Sequence, residues 1–135
     1  MDRQDNVIST IKQDIQHHLA LTYEKIALSI LQKNADLFPP FDKLGRWWDR
    51  NEEIDIVGIN RELNAILFAE VKWTEKPVGI NILSELKAKA EKVQWGNNKT
   101  LRYFALFSRK GFTNDMLKMA EKEKIVLLKG VERVG

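Results

Sequence analysis

Glu53-Ile54-Asp55-Ile56-Val57-Gly58-Ile59 and Ala65-Ile66-Leu67-Phe68-Ala69-Glu70-Val71-Lys72-Trp73 are two neighbouring apolar runs that end in charge, and their reading decides the fold. Side chains alternate faces along a strand. Asp55 is therefore expected on a face with Val57 and Ile59, and Glu70 and Lys72 on a face with Ile66 and Phe68. Runs this apolar on both faces belong to strands covered on both sides. A buried charge costs several kcal/mol unless it is paired or bound to a metal. Two carboxylates and an ammonium at the ends of such strands therefore need partners, and a divalent cation is the most economical one.

The flanking sequence supplies the layers. Residues 44–49, Leu-Gly-Arg-Trp-Trp-Asp, read as a strand before the first run, with turns at 49–52 and 60–64, so that three strands form an antiparallel meander. Upstream, residues 6–34 read as helix. Ile8, Ile11, Ile15 and Leu19 form one apolar stripe, and Tyr23, Ile26, Ala27, Ile30 and Leu31 form another. The drift between the stripes predicts a break or kink near His18–Leu21, and Asn34-Ala35-Asp36 with Phe38-Pro39-Pro40 ends the helix.

Downstream, Pro77 and Gly79 interrupt the chain. Asn81 or a neighbour is expected to cap a helix of about 13 residues, with Ile82, Leu83, Leu86, Ala90 and Val93 on its apolar face. Residues 101–107 read as a fourth strand and 125–129 as a fifth. Between them lies a short helix with Thr113 as N-cap and Asp115 at its dipole end. The last strand–helix–strand unit implies a parallel crossover. The expectation is a three-layer α/β domain in the order α-β-β-β-α-β-α-β on a mixed central sheet, a single domain over 1–135 with residues 1–20 as a helical lead-in.

The 135 residues suffice for one core. The absence of cysteine excludes a disulfide framework, thiolate zinc sites and a cysteine nucleophile. No apolar run reaches membrane-span length, and Met1–Asn6 lacks a signal peptide's apolar segment, so a cytoplasmic protein with no membrane partner is expected. The net charge of +3 does not by itself demand nucleic acid. Lysine and arginine nevertheless gather from Lys72 to Lys110, where Lys87, Lys89, Lys92, Arg109 and Lys110, together with Arg46, are candidates for a phosphate-facing surface.

Magnesium takes carboxylate oxygens, keeps several waters and binds through one or two carboxylates plus substrate phosphate. Asp55 and Glu70 are the candidate ligands, with the Val71 carbonyl as third donor. Lys72 is placed to orient the attacking water or to stabilise developing charge. The same pattern also fits a structural ion pair of Lys72 with Glu70 or Asp55. Glu24 borders an apolar helix face and is the next candidate, against a reading as an ordinary surface residue. Trp47, Trp48, Trp73 and Trp95 read first as packing residues, with base stacking as the alternative. His17-His18 lacks the spacing of a helical metal pair and is read as facing solvent or a partner, and no Gly-rich phosphate loop is present.

Glu24, Asp55 and Glu70-Val71-Lys72, followed by a helix and a strand–helix–strand end, resemble the restriction-endonuclease-like PD-(D/E)xK superfamily. Further strings resemble the C-terminal domain of unknown function carried by archaeal-type AAA+ ATPases. They are Tyr23-Glu24-Lys25-Ile26, Gly45-Arg46-Trp47-Trp48, Glu53-Ile54-Asp55-Ile56-Val57, Phe68 to Trp73, Leu86 with Lys89-Ala90, and Leu106-Phe107-Ser108 before Gly111-Phe112-Thr113. The resemblance implies a restriction-endonuclease-like fold, with Asp55, Glu70 and Lys72 as the metal and catalytic set and Glu24 assisting. It also implies an ATPase module upstream in the same or a partner chain. The proline of the superfamily's name is replaced by Ile54. The function expected is Mg- or Mn-dependent cleavage of DNA phosphodiesters. The alternative is a non-catalytic DNA-binding or ATPase-docking module on a nuclease scaffold, and homodimer formation is open.

Overall fold

The computed structural model describes residues 3–33 and 36–135. Asn34 and Ala35, where the first helix is expected to stop, lie outside the described residues. In chain order the elements are α1 (Arg3–Lys33), β1 (Lys43–Asp49), β2 (Glu52–Asn60), β3 (Ala65–Lys72), α2 (Ile80–Ala90), β4 (Leu101–Ser108), α3 (Asn114–Glu123), β5 (Val126–Lys129) and β6 (Glu132–Val134). The expected order is found, with one strand added at its end. All six strands form one mixed sheet in sequential order: β1, β2 and β3 pair antiparallel, β3–β4 and β4–β5 pair parallel, and β6 returns antiparallel to β5. Each parallel pair is joined through a helix, as a parallel connection requires.

Two apolar clusters make the layers. On one face, α2 and α3 bring Leu83, Leu86 and Met116 against Ile54, Ile66, Phe68, Leu106 and Leu127. On the other, α1 sets Tyr23, Ala27 and Leu31 against Ile56, Leu67, Ala69, Ala105 and Phe107. Phe41 and Leu44 close the edge of this second cluster. They lie so near β2 that a Cβ on Gly58 would meet Leu44 at 2.6 Å and Phe41 at 3.1 Å, so a residue without a side chain is used there.

The helices differ from expectation in two details. α1 runs unbroken through His18–Leu21. The two apolar stripes record two environments of one helix: Val7, Ile8, Ile11, Ile15 and Leu19 are exposed, whereas Tyr23, Ala27 and Leu31 are buried on the sheet. α2 is shorter than expected, at 11 residues, and Gly79 rather than Asn81 sits at its N-cap, with no side-chain cap. α3 starts as the sequence indicates, with the Thr113 hydroxyl accepting a hydrogen bond from the Met116 N–H at 3.2 Å. Among the described residues no helix is long and apolar enough to cross a membrane.

One irregularity positions the functional residues. Gly45 pairs with Val57 and Trp47 with Ile54, so two steps along β1 face three along β2. This is a β-bulge at Asp55–Ile56, opposite Arg46. A bulge adds a residue to one strand and re-aims its side chains. Here it reverses the face alternation: Ile54 packs with Val57 and Ile59 on the α2–α3 side, while Ile56 packs on the α1 side. The expectation that Asp55 shares a face with Val57 and Ile59 is thereby corrected, because strict period-two alternation ends at the bulge.

Candidate functional site

The pairing of β2 with β3 runs from Asn60↔Ala65 to Ile56↔Ala69 and ends there, one residue short of Asp55 and Glu70. Past that point the Val71 N–H is satisfied by a side chain: it donates to Asp55 Oδ2 at 2.8 Å. The bulge turns Asp55 into the gap between the diverging strands, and this hydrogen bond holds it there. Glu70 enters the same gap from β3 and is only 3% exposed. The Asp55 carboxyl lies near enough to act on that of Glu70. The alternation expected for β3 holds, since Ile66 and Phe68 lie in the α2–α3 cluster and Leu67 and Ala69 in the α1 cluster.

Electrostatics follow from that placement. Burial, with the neighbouring Asp55 carboxyl adding to it and Lys89 opposing it, pushes the Glu70 carboxyl up to about 7. Lys89 reaches from α2 and donates to Glu70 Oε1 at 2.7 Å and to the Glu53 carbonyl at 2.9 Å. An ammonium thus sits on the buried carboxylate, in a position that a metal cation would also favour.

Residues 1–93 match the profile of a family described as Archaea bacterial proteins of unknown function, DUF234. The chain belongs to this family. It is also 42% identical over 71 residues to the uncharacterized protein MJECL04 of Methanocaldococcus jannaschii, a match covering 50% of this chain and 16% of that protein. Among solved structures, the crystal structure of a repair endonuclease from Pyrococcus abyssi is similar at a TM-score of 0.47 and 20% identity, over 77% of this chain and 44% of that one. The match thus spans about a sixth of the curated relative and under half of the solved structure.

The other expected site residues of this DUF234 chain are distributed as follows. Lys72 is partly buried two residues beyond Glu70 and makes no ion pair with the described residues; it borders an open cleft with Glu75, Pro77 and Asn81. Ser108, its cross-strand neighbour on β4, is fully buried, and its hydroxyl has no hydrogen-bond partner among the described residues. Glu24 pairs with Arg46, which also reaches Glu53 at 3.2 Å. Glu24, Arg46 and Asp55 line one groove of about 260 Å³ between α1 and the sheet. Glu24 is therefore brought beside the acid pair but is held by a guanidinium. No cluster of three or more His, Cys, Asp or Glu groups with metal-binding geometry occurs among the described residues.

The basic residues expected to face phosphate are mostly engaged. Lys87 pairs with Glu123, Lys92 with Glu52, and Arg109 with Glu75 at 2.8 Å while lying over the Trp73 ring. Lys110 is exposed and has no ion pair among the described residues. Pairs exposed like these are worth under about 1 kcal/mol each and yield readily to a phosphate. Lys89 differs. Expected on the nucleic-acid face, it instead reaches inward, with its own side chain 21% exposed and that of its partner 4%. Its place on α2, three residues after Leu86 on an inward-facing helix, was the signal in the sequence that it could reach the core.

Proposed function

We propose that this domain is a Mg²⁺- or Mn²⁺-dependent nuclease-like unit acting on DNA phosphodiesters. The observation that carries the reading is the convergence of Asp55 and buried Glu70 where β2 and β3 separate, with a cation already drawn to Glu70 in the form of Lys89. The donor set suits a hard cation: two carboxylates, with the Val71 carbonyl as the proposed third donor and the remaining positions left to water and phosphate. When bound, such an ion would lower the pKa of a coordinated water and neutralise charge on the phosphoryl oxygens.

The chain's own residues would do the rest. The Val71 N–H donates to Asp55 Oδ2 and so fixes the carboxylate, leaving its other oxygen to a ligand. Lys89 favours the ionised form of Glu70, against burial and Asp55, which favour its protonation. Lys72, with no internal ion pair among the described residues, is available to a phosphate or to the attacking water. Arg46 borders the groove that Asp55 lines and would bind a backbone phosphate once released from Glu24, which would then be free to assist at the acid pair. On the strength of the sequence resemblance, we place the unit at the C-terminal end of an archaeal-type ATPase.

A second reading, a non-catalytic DNA-binding or ATPase-docking module, is favoured by one observation: Lys89 already neutralises Glu70 and Arg46 already neutralises Glu24. Incubation with Mg²⁺ or Mn²⁺ and supercoiled, linear, single-stranded and branched DNA separates the two. The nuclease reading expects cleavage that is lost in Asp55→Ala and Glu70→Ala. Cleavage that persists in both variants contradicts the assigned site, and none under any condition favours the second reading.

A further inference from the structure

The two edges of the sheet are built differently. β6, at one edge, is three residues long and two of them are charged, a common guard against pairing with another strand. β1, at the other edge, runs for seven residues without proline, and its outer backbone groups have no partner strand among the described residues. Its side chains alternate regularly. Leu44 packs in the α1 cluster and Arg46 reaches Glu24 on α1, so Trp48 is on that face too. Trp47 is on the opposite face, against the α2–α3 cluster. Trp48 is 70% exposed, more than any other large apolar side chain described, and packing within the chain does not account for it. Gly45 is the converse case. A Cβ there would meet nothing within 4 Å, so no neighbour in the chain requires a glycine.

Set antiparallel to a second copy of itself about a dyad at Arg46, β1 answers each of these features. Lys43 then stands opposite Asp49 of the second copy. Both are exposed, and neither is in an ion pair among the described residues. The dyad repeats the pair, so the interface carries it twice. Leu44 faces the second Trp48, whose indole would cover the partly buried apolar edge that Leu44 and Phe41 form beside the α1 cluster. Gly45 faces the second Trp47, an aromatic residue set against an edge glycine. Arg46 faces itself, but each guanidinium is already held by Glu24 and Glu53 of its own chain. Moving the dyad one residue either way loses the match of Lys43 with Asp49, so charge selects this register.

We propose that β1 pairs with β1 of a second copy of this chain, joining two sheets into one across a dyad at Arg46. The proposal stands apart from the nuclease reading. Because Arg46 lies opposite the bulge, the two Asp55 residues would sit three strand spacings apart, about 14 Å. The test is the oligomeric state of the full chain, by sedimentation equilibrium from micromolar concentrations up to about 0.1 mM. The wild type is expected to be dimeric at the top of that range. Trp48→Ala, at an exposed position, should keep the native circular dichroism spectrum and weaken the dimer about tenfold or more. Lys43→Glu and Asp49→Lys should each weaken it about tenfold by setting like charges opposite one another. The two together should restore it, a rescue that damage to the fold would not give. A chain that stays monomeric at the highest concentration would overturn the proposal and leave β1 to a strand of another protein. A dimer indifferent to Trp48→Ala and to both charge variants would overturn it as well, by placing the interface elsewhere. Failure of the double swap to rescue would contradict the register on which the dyad depends.

Discussion

Glu70 is the residue on which the energetics turn. Its carboxyl titrates near 7 in the fold against an ordinary 4.5, because burial and Asp55 outweigh Lys89. A raised carboxyl contributes stability that is complete below the unfolded value and is lost as pH rises through the folded one. The metal-free protein should therefore lose up to about 3 kcal/mol from this group between pH 4.5 and pH 7 to 8. Glu70→Gln should remove that slope and raise the melting temperature at pH 8, which thermal melts across pH will show. Lys89→Gln should act oppositely, costing about 2 kcal/mol at pH 8, where Glu70 is ionised and loses its charged hydrogen bond, and little at pH 5, where Glu70 is protonated. Millimolar Mn²⁺ should restore much of that loss if a cation can take over the place of the ammonium.

At the scale of elements, α1 is two structures in one helix. Ala27 has no exposed surface and touches the sheet closely, so Ala27→Leu should destabilise by about 1–3 kcal/mol through overpacking. Ile11 is 53% exposed, so Ile11→Ser should change stability by less than about 0.5 kcal/mol; urea denaturation of both variants distinguishes the two halves. The sequence carried much of this layer. Alternation and turn residues located β1 to β5, and Thr113 announced α3, because each of those signals is local. β6 escaped because Glu132-Arg133-Val134 has no apolar run, and its partner β5 supplies the pairing. The bulge escaped for a deeper reason. Extra residues in a ladder are a property of two strands together, and nothing in Glu53–Ile59 alone shows that Arg46 faces both Asp55 and Ile56. The pairing of β2 with β3 is legible in the sequence, but the face that strict alternation gives Asp55 does not hold. A lysine on a helix is usually solvated; its spacing from Leu86 lets Lys89 turn inward, and the depth of Glu70 below α2 makes it do so.

For the molecule as a whole, the sheet is covered unevenly. Most of β3, β4 and β5 lies under helices on both faces, whereas β1 and the near half of β2 border the cleft beside Trp47 and Trp95 on one face and the Arg46 groove on the other. Rigidity and chemistry are therefore divided between the two halves of the sheet. Hydrogen exchange should find the slowest amides in β3 and β4 and fast exchange in the first half of α1, whose apolar side chains pack on nothing described here. Between the halves lies the gap holding Asp55 and Glu70, and the account depends on that gap binding a divalent cation. Crystals soaked in Mn²⁺ and measured at the manganese edge test this most directly. The account predicts an anomalous peak contacting both Asp55 and Glu70, with Lys89 moved off Glu70; a fully soaked crystal with no peak there, and Lys89 still seated on the carboxylate, would contradict it.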